Sequence, residues 1–291
     1  MLPMLTRYIM MSFGPDDSRY WQAHWLILSL MAHAPRPREI MVVTDHPAYF
    51  GWFGEAIKVR GMTAAEVANW IGPQGYFFRT LIKCLDLALV SGPEPGAVVY
   101  LDTDTQVNRS LAPLVADLAQ GIAYMDCVEY VIHESGRMGN KGARTLWEAL
   151  GDTEWLDIRI HRDLPLWNTG ITAVTGADAP LIRKALDICD AMLASGVTHR
   201  LTEQVALSAV LTAAKTVREV NPAGQEPWIT HYWGNKHGWH ESITAHLATI
   251  HHRGLTLEEA VEFLRQNPID RPQIVKRTRK WHRLLKVEPA K

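Results

Sequence analysis

VVYLDTDTQV, Val98 to Val107, is the stretch on which the fold of this chain turns. It continues an apolar run, Ala97 to Leu101, into two aspartates one residue apart. An unbroken β-branched and aromatic run of this kind predicts a strand buried on both faces. Side chains on a strand alternate, so Asp102 and Asp104 are expected to project to the same side. Two carboxylates at the carboxyl mouth of a parallel strand are hard oxygen ligands, and in open α/β sheets that mouth is where ligands bind. The alternative is that the aspartates cap a turn or the helix near Leu111-Ala112-Pro113-Leu114.

Working outward, apolar runs and helical periodicity alternate. Strands are expected at Leu5–Phe13, Glu39–Thr44, Ala56–Arg60, Gly121–Met125, Leu166–Val174 and Thr216–Val220. Helices are expected at Arg19–His33, Phe77–Val90, Ala179–Ala194 and Leu201–Ala214, then at about 240–250 and 256–266. Asp17 or Ser18 is a candidate cap for the first helix, and Thr202 for the fourth. Between about Val128 and Pro165 the pattern is weak, which suggests a long excursion over the substrate site with a short helix at 143–150. Strands alternating with helices predict an α/β fold with a mainly parallel sheet covered on both faces.

The chain has 291 residues, 47% hydrophobic and 21% charged, with a formal charge of −1. That is enough chain for a large core without disulfides. Cys84, Cys127 and Cys189 lie far apart and suit a reducing compartment, so a cytoplasmic protein is expected. No apolar run approaches a membrane span, and the amino end lacks the marks of a signal peptide. One domain is expected over residues 1–270, followed by a tail at 271–291. From Arg271 onward eight Lys or Arg face Glu288 alone, a balance of +7 that leaves −8 for the rest. Ile274 to Leu285, IVKRTRKWHRLL, suits the headgroups of an anionic membrane, or else a helix packed on the acidic body. No nucleic-acid partner is expected.

A second constellation is His231, Gly234 and Lys236. Imidazole ligates a divalent metal well beside carboxylates, glycine admits close backbone approach, and lysine suits a phosphate oxygen. Asn168 precedes a strand and offers an amide to a polyhydroxylated ligand. Glu203-Gln204 opens a helix, where an acid is favourable for structural reasons alone.

Taken together and in order, these motifs resemble nucleotide-diphospho-sugar glycosyltransferases of the GT-A fold, nearest the glycogenin and lipopolysaccharide galactosyltransferase group, family 8. The elements are FGPDDSRY, a helix bearing Arg79 and Lys83, the Asp-x-Asp strand, WNTGI followed by EQVAL, and HYWGNK. They span roughly residues 5–240. HYWGNK is one residue shorter than the family's His-x-x-Gly-x-x-Lys, and His237-Gly238-Trp239 replaces its Pro-Trp.

The resemblance implies transfer of a sugar from a nucleoside-diphosphate donor, most simply a UDP-sugar, to a saccharide or glycolipid acceptor, with Mn²⁺ or Mg²⁺. It implies Asp102 at the ribose or the metal, and Asp104 and His231 on the metal. Tyr20 and Asp17 would lie near the base. Arg79, Lys83, Gly234 and Lys236 would serve the phosphates or donor sugar. Asn168, Glu203 and Gln204 would line the sugar and acceptor side. A sugar-phosphate nucleotidyltransferase shares the fold class and ranks second, since FGPDDSRY lacks the glycine-rich, arginine-bearing loop that a triphosphate needs.

Overall fold

A computed structural model describes residues 4–91, 96–131, 141–221, 225–232 and 236–269. The chain begins with β1 (Thr6–Ser12), α1 (Ser18–His33), β2 (Arg38–Thr44), a 3₁₀ stretch (Pro47–Ala56), β3 (Lys58–Gly61), α2 (Ala64–Ile71), α3 (Arg79–Val90) and β4 (Ala97–Leu101). It continues through β5 (Thr105–Val107), α4 (Ala112–Leu118), β6 (Ala123–Met125), β7 (Val128–Val131), α5 (Lys141–Leu150), β8 (Glu154–Trp155), β9 (Ile158–Arg159) and β10 (Pro165–Trp167). Then come β11 (Ile171–Thr175), α6 (Ala179–Ala194), α7 (Thr202–Ala214), β12 (Val217–Glu219), β13 (Ile229–His231), α8 (Lys236–His252) and α9 (Leu257–Gln266).

Local sequence accounts for many of the boundaries. α1 stops because Ala34 precedes Pro35 and is extended, its N–H still closing on Leu30. Thr63 with Glu66 and Thr256 with Glu259 form capping boxes that start α2 and α9. β4, Ala-Val-Val-Tyr-Leu, is buried at every position.

Seven strands form the main sheet in the order β12-β6-β11-β4-β1-β2-β3. Four of its pairings are parallel, and only those of β11 with β4 and β6 are antiparallel. β4 and β6 therefore point the same way, as do β1 and β2. All four release their carboxyl ends at one edge, where β11 begins. One helical layer, built on α3, α6 and α7, packs over Ile9, Val98 and Val174. The other, built on α1, α4, α8 and α9, packs over Tyr8, Val99 and Ala173. Alternate residues of a strand serve opposite layers, as period-2 geometry requires.

Three expectations need correction. Leu166–Val174 is not one strand. β10 pairs with β7 and β11 joins the main sheet, with Asn168, Thr169 and Gly170 making the step between them. Asp102 and Asp104 do not alternate along a strand: β4 ends at Leu101, and a turn closed by the N–H of Thr105 on Asp102 O at 3.1 Å carries both. None of the expected caps acts through its side chain, and Ser18 is already the first residue of α1. Asp17 occupies the cap position of α1 but makes no cap bond, and Thr202 is already the first helical residue, its hydroxyl donating to His199 O at 2.6 Å.

Candidate active site

The turn after β4 brings together what the sequence leaves far apart. β13 pairs antiparallel with β5, placing His231 across from Thr105. The N–H of Tyr232 donates to Asp104 O at 2.8 Å. Asn108 donates to Thr230 Oγ1 at 2.9 Å, and Asn221 clamps Ile229 through both its N–H and its carbonyl. So fastened, His231 points Nε2 at Asp104 Oδ1, 3.3 Å away, and at Asp102 Oδ2, 3.8 Å away. Donor atoms of Asp102, Asp104 and His231 lie within 4.8 Å of one another. The side chains of Asp104 and His231 are 7% and 5% exposed, whereas that of Asp102 is 38% exposed.

Asp126, just past the carboxyl end of β6, meets the other ring nitrogen: His231 Nδ1 lies 2.7 Å from Asp126 Oδ2. Burial alone would lower the proton affinity of His231. Its bonds to Asp104 and Asp126 reverse that and hold it well above the ordinary imidazole range. Gly170, where β11 begins, lies flush against this group. A Cβ there would fall 2.3 Å from His231 Cε1 and 2.7 Å from Asp102 Oδ2. Tyr100 completes the rim by donating to Asp102 Oδ1 at 2.7 Å.

Beside this cluster lies a second network. Glu129 on β7 accepts from Asn168 Nδ2 at 2.9 Å and from Gln204 Nε2 at 3.2 Å. Gln204 also donates to Trp167 O at 2.8 Å. A carboxylate and a carbonyl both only accept, so the amide nitrogen of Gln204 must face them and its oxygen must face away. Asn168 Oδ1 takes the N–H of Gly170 at 2.9 Å, which ties this network to the first. Glu203 lies behind, fully buried, with Tyr76 and Thr169 donating to its carboxylate. Burial pushes its carboxyl up to about 7, against the lowering effect of these donors.

The remaining expected residues are more scattered. Tyr20 donates its hydroxyl between Gly14 O and Asp45 Oδ1, both at 2.8 Å, and stacks on Tyr49 at 4.2 Å. Asp17 accepts from the Tyr49 hydroxyl, so the Tyr20 and Asp17 corner is a real group at the ends of β1 and β2. Arg79 is not brought to the cluster. Its guanidinium is taken up by Asp190 on α6 and by the carbonyls of Asn69 and Trp70. Lys83, one turn along α3, is half-buried, and its neighbour Cys84 feels the charge of Asp102. Gly234 lies outside the described residues. Lys236 is the first residue of α8, and its side chain lies outside them too.

No protein-family model and no curated protein sequence matches this chain. Solved structures do. The galactosyltransferase LgtC, in complex with donor and acceptor sugar analogues, matches with a TM-score of 0.54 at 12% identity, over 93% of this chain and 99% of that one. The apo form of mouse xyloside xylosyltransferase 1 matches with a TM-score of 0.51 at 12% identity, over 79% of this chain and 98% of its own. The apo bifunctional glycosyltransferase WbbM matches with a TM-score of 0.52 at 12% identity, over 80% of this chain but only 46% of WbbM. This chain has the GT-A fold.

On the GT-A fold, the donor set after β4 is suited to a divalent cation. Two hard carboxylate oxygens and one imidazole nitrogen converge, and Gly170 keeps the space beside them free of a side chain. Asp126, Glu129 and Tyr76 were missed by sequence reasoning. Asp126 and Glu129 lie where hydrophobic periodicity fades, and Tyr76 lies in the glycine-bounded loop before α3. An acid directly after the short apolar run Ala123–Met125 was the one available signal for Asp126, the same signal that marks Asp102 after Leu101.

Proposed function

We propose that the protein is a glycosyltransferase moving a sugar from a nucleoside-diphosphate donor to a saccharide or lipid-linked acceptor. The observation that carries this is the convergence of Asp102, Asp104 and His231 at the carboxyl edge of a GT-A sheet. The solved neighbours include a galactosyltransferase and a xylosyltransferase, which supports a sugar donor. A hexosyl transfer from a UDP-sugar is the form we favour.

Asp102, Asp104 and His231 would hold Mn²⁺ or Mg²⁺, which when bound neutralises charge on the departing diphosphate. The chain's own groups do the rest. Tyr20, Tyr49 and Asp17 would receive the base, and Lys83 and Lys236 the phosphates. Arg79 is reassigned to bracing α2, α3 and α6. Asn168 and Gln204, both oriented by Glu129, would face the sugar. Gln204 presents a carbonyl oxygen, suited to accept a hydroxyl proton or to lie against positive charge developing at the anomeric carbon. Glu203 would support this wall from behind.

Within the described residues no helix is long and apolar enough to cross a membrane. A cytoplasmic enzyme held loosely at an anionic membrane by its basic tail would suit a lipid-linked acceptor. Incubation with a panel of nucleotide sugars and Mn²⁺, scoring free nucleoside diphosphate, tests the activity. Slow donor hydrolysis without acceptor is expected. Release of pyrophosphate from a nucleoside triphosphate and sugar phosphate, with no donor hydrolysis, would overturn it.

A further inference from the structure

We propose that Asp126 is a positioning residue: its carboxylate keeps the proton of His231 on Nδ1 and so presents the Nε2 lone pair to a divalent cation between Asp102 and Asp104. This rests on the metal reading proposed above. The geometry is one-sided. Nδ1 and Nε2 diverge from the ring, so Asp126, 2.7 Å from Nδ1, lies on the side away from the donor set and cannot itself join it. Its role must pass through the imidazole.

Three observations make the contact more than a chance pairing. Both partners are buried, with the His231 side chain 5% exposed and that of Asp126 6% exposed. In that setting a carboxylate only accepts, so Nδ1 must carry the proton. Asp126 is itself fixed: its N–H donates to Asn168 O and its carbonyl accepts from Val220 N, each at 3.3 Å. Finally, Gly170 lets the backbone pass close to the ring, since a Cβ there would fall 2.3 Å from Cε1 and 3.0 Å from Nδ1. A carboxylate that orients a ligating imidazole and raises its basicity is a recurrent arrangement around bound metals, and its removal typically costs 10- to 100-fold in affinity.

The competing account is a buried ion pair, in which both ring nitrogens carry protons and Asp126 merely balances the charge. The two accounts predict opposite results. Mn²⁺ is titrated into the full chain, and the free aquo ion is followed by electron paramagnetic resonance. The proteins are wild type, Asp126→Asn, Asp126→Ala, Asp104→Asn and His231→Ala, with circular dichroism and melting as checks on folding. Asp126→Asn should weaken Mn²⁺ by about 10- to 100-fold, and Asp126→Ala by at least as much. ¹⁵N-histidine spectra of wild type, assigned by difference from His231→Ala, should show the Nδ1–H tautomer once Mg²⁺ is added. A folded Asp126→Asn that binds Mn²⁺ as tightly as wild type or tighter, while Asp104→Asn and His231→Ala weaken it, overturns the proposal and leaves the metal reading standing. An Nε2–H signal in wild type saturated with Mg²⁺ overturns it even where the variants fail to fold. Wild type that does not bind Mn²⁺ removes the metal reading and this proposal with it.

Discussion

Asp104 is the more deeply enclosed carboxylate of the candidate metal site, and its substitution is the most direct test of it. Asp104→Asn keeps the shape and removes one ligand charge. Donor turnover should fall on the order of a thousandfold. Calorimetry with UDP should show Mn²⁺-dependent affinity in wild type only, and equal affinity in EDTA would remove the site. Glu203 makes a separate prediction. Its folded-state value of about 7 lies above the ordinary 4.5. Its contribution to stability is therefore complete below about pH 4.5 and is lost as pH rises through 7. At one unit per 1.36 kcal/mol the difference is roughly 3 kcal/mol. Glu203→Gln should not show this loss, so its melting temperature should gain on wild type between pH 4 and pH 8. A constant gap across that range would mean that folding does not shift the carboxyl. At this scale, the gathering of Asp102, Asp104 and His231, which end an apolar run or sit in a short motif, was legible. Residues that act through a neighbour, Asp126 and Glu129, were not, because a hydrogen-bond partner leaves no periodic trace in the sequence.

At the scale of elements, the β5–β13 ribbon carries His231 but has only three residues in each strand, too few to be stable alone. It depends on side-chain clamps from Asn108 and Asn221. Asn221→Ala removes both bonds to Ile229 and should destabilise the protein by about 1–3 kcal/mol. Amide exchange at 229–231 should quicken more than in β4, and Mn²⁺ affinity should weaken without any change to a ligand. Uniform loss across the sheet would assign Asn221 to global stability instead. The long strands and helices were legible because buried β-branched runs and amphipathic periods decide them locally. The step from β10 to β11 was hidden because Leu166–Val174 stays mostly apolar on both sides of Asn168. Only pairing with different partners, β7 on one side and β4 on the other, splits it. The antiparallel course of β11 was equally invisible, since orientation is a property of neighbours and not of composition.

At the scale of the whole molecule, charge is divided along the chain. Residues 271–291 hold eight basic groups against one acid, and the remainder is acidic. The described structure stops at Ile269, so the tail lies outside the described residues. Each basic group near an anionic surface is worth about 1 kcal/mol. The full chain should therefore sediment with anionic liposomes at low salt and release as salt rises, while a chain ending at Pro272 stays in the supernatant. Equal partition of both forms would leave the lipid-linked acceptor without support.

The pairing of β13 with β5 also bears on how the protein comes into being. Asn108 and Thr230 bond across 122 positions of sequence. Closing so long a loop is entropically slow, and it must wait until the ribosome has released residue 231. Almost the whole sheet can assemble before that moment, because β1, β2, β4, β6 and β11 all end by Thr175. A growing or truncated chain can thus own most of the scaffold yet lack the imidazole. On the proposed function, competence to bind a cation would arise only in molecules that have finished folding, and a nascent chain would not begin the chemistry early.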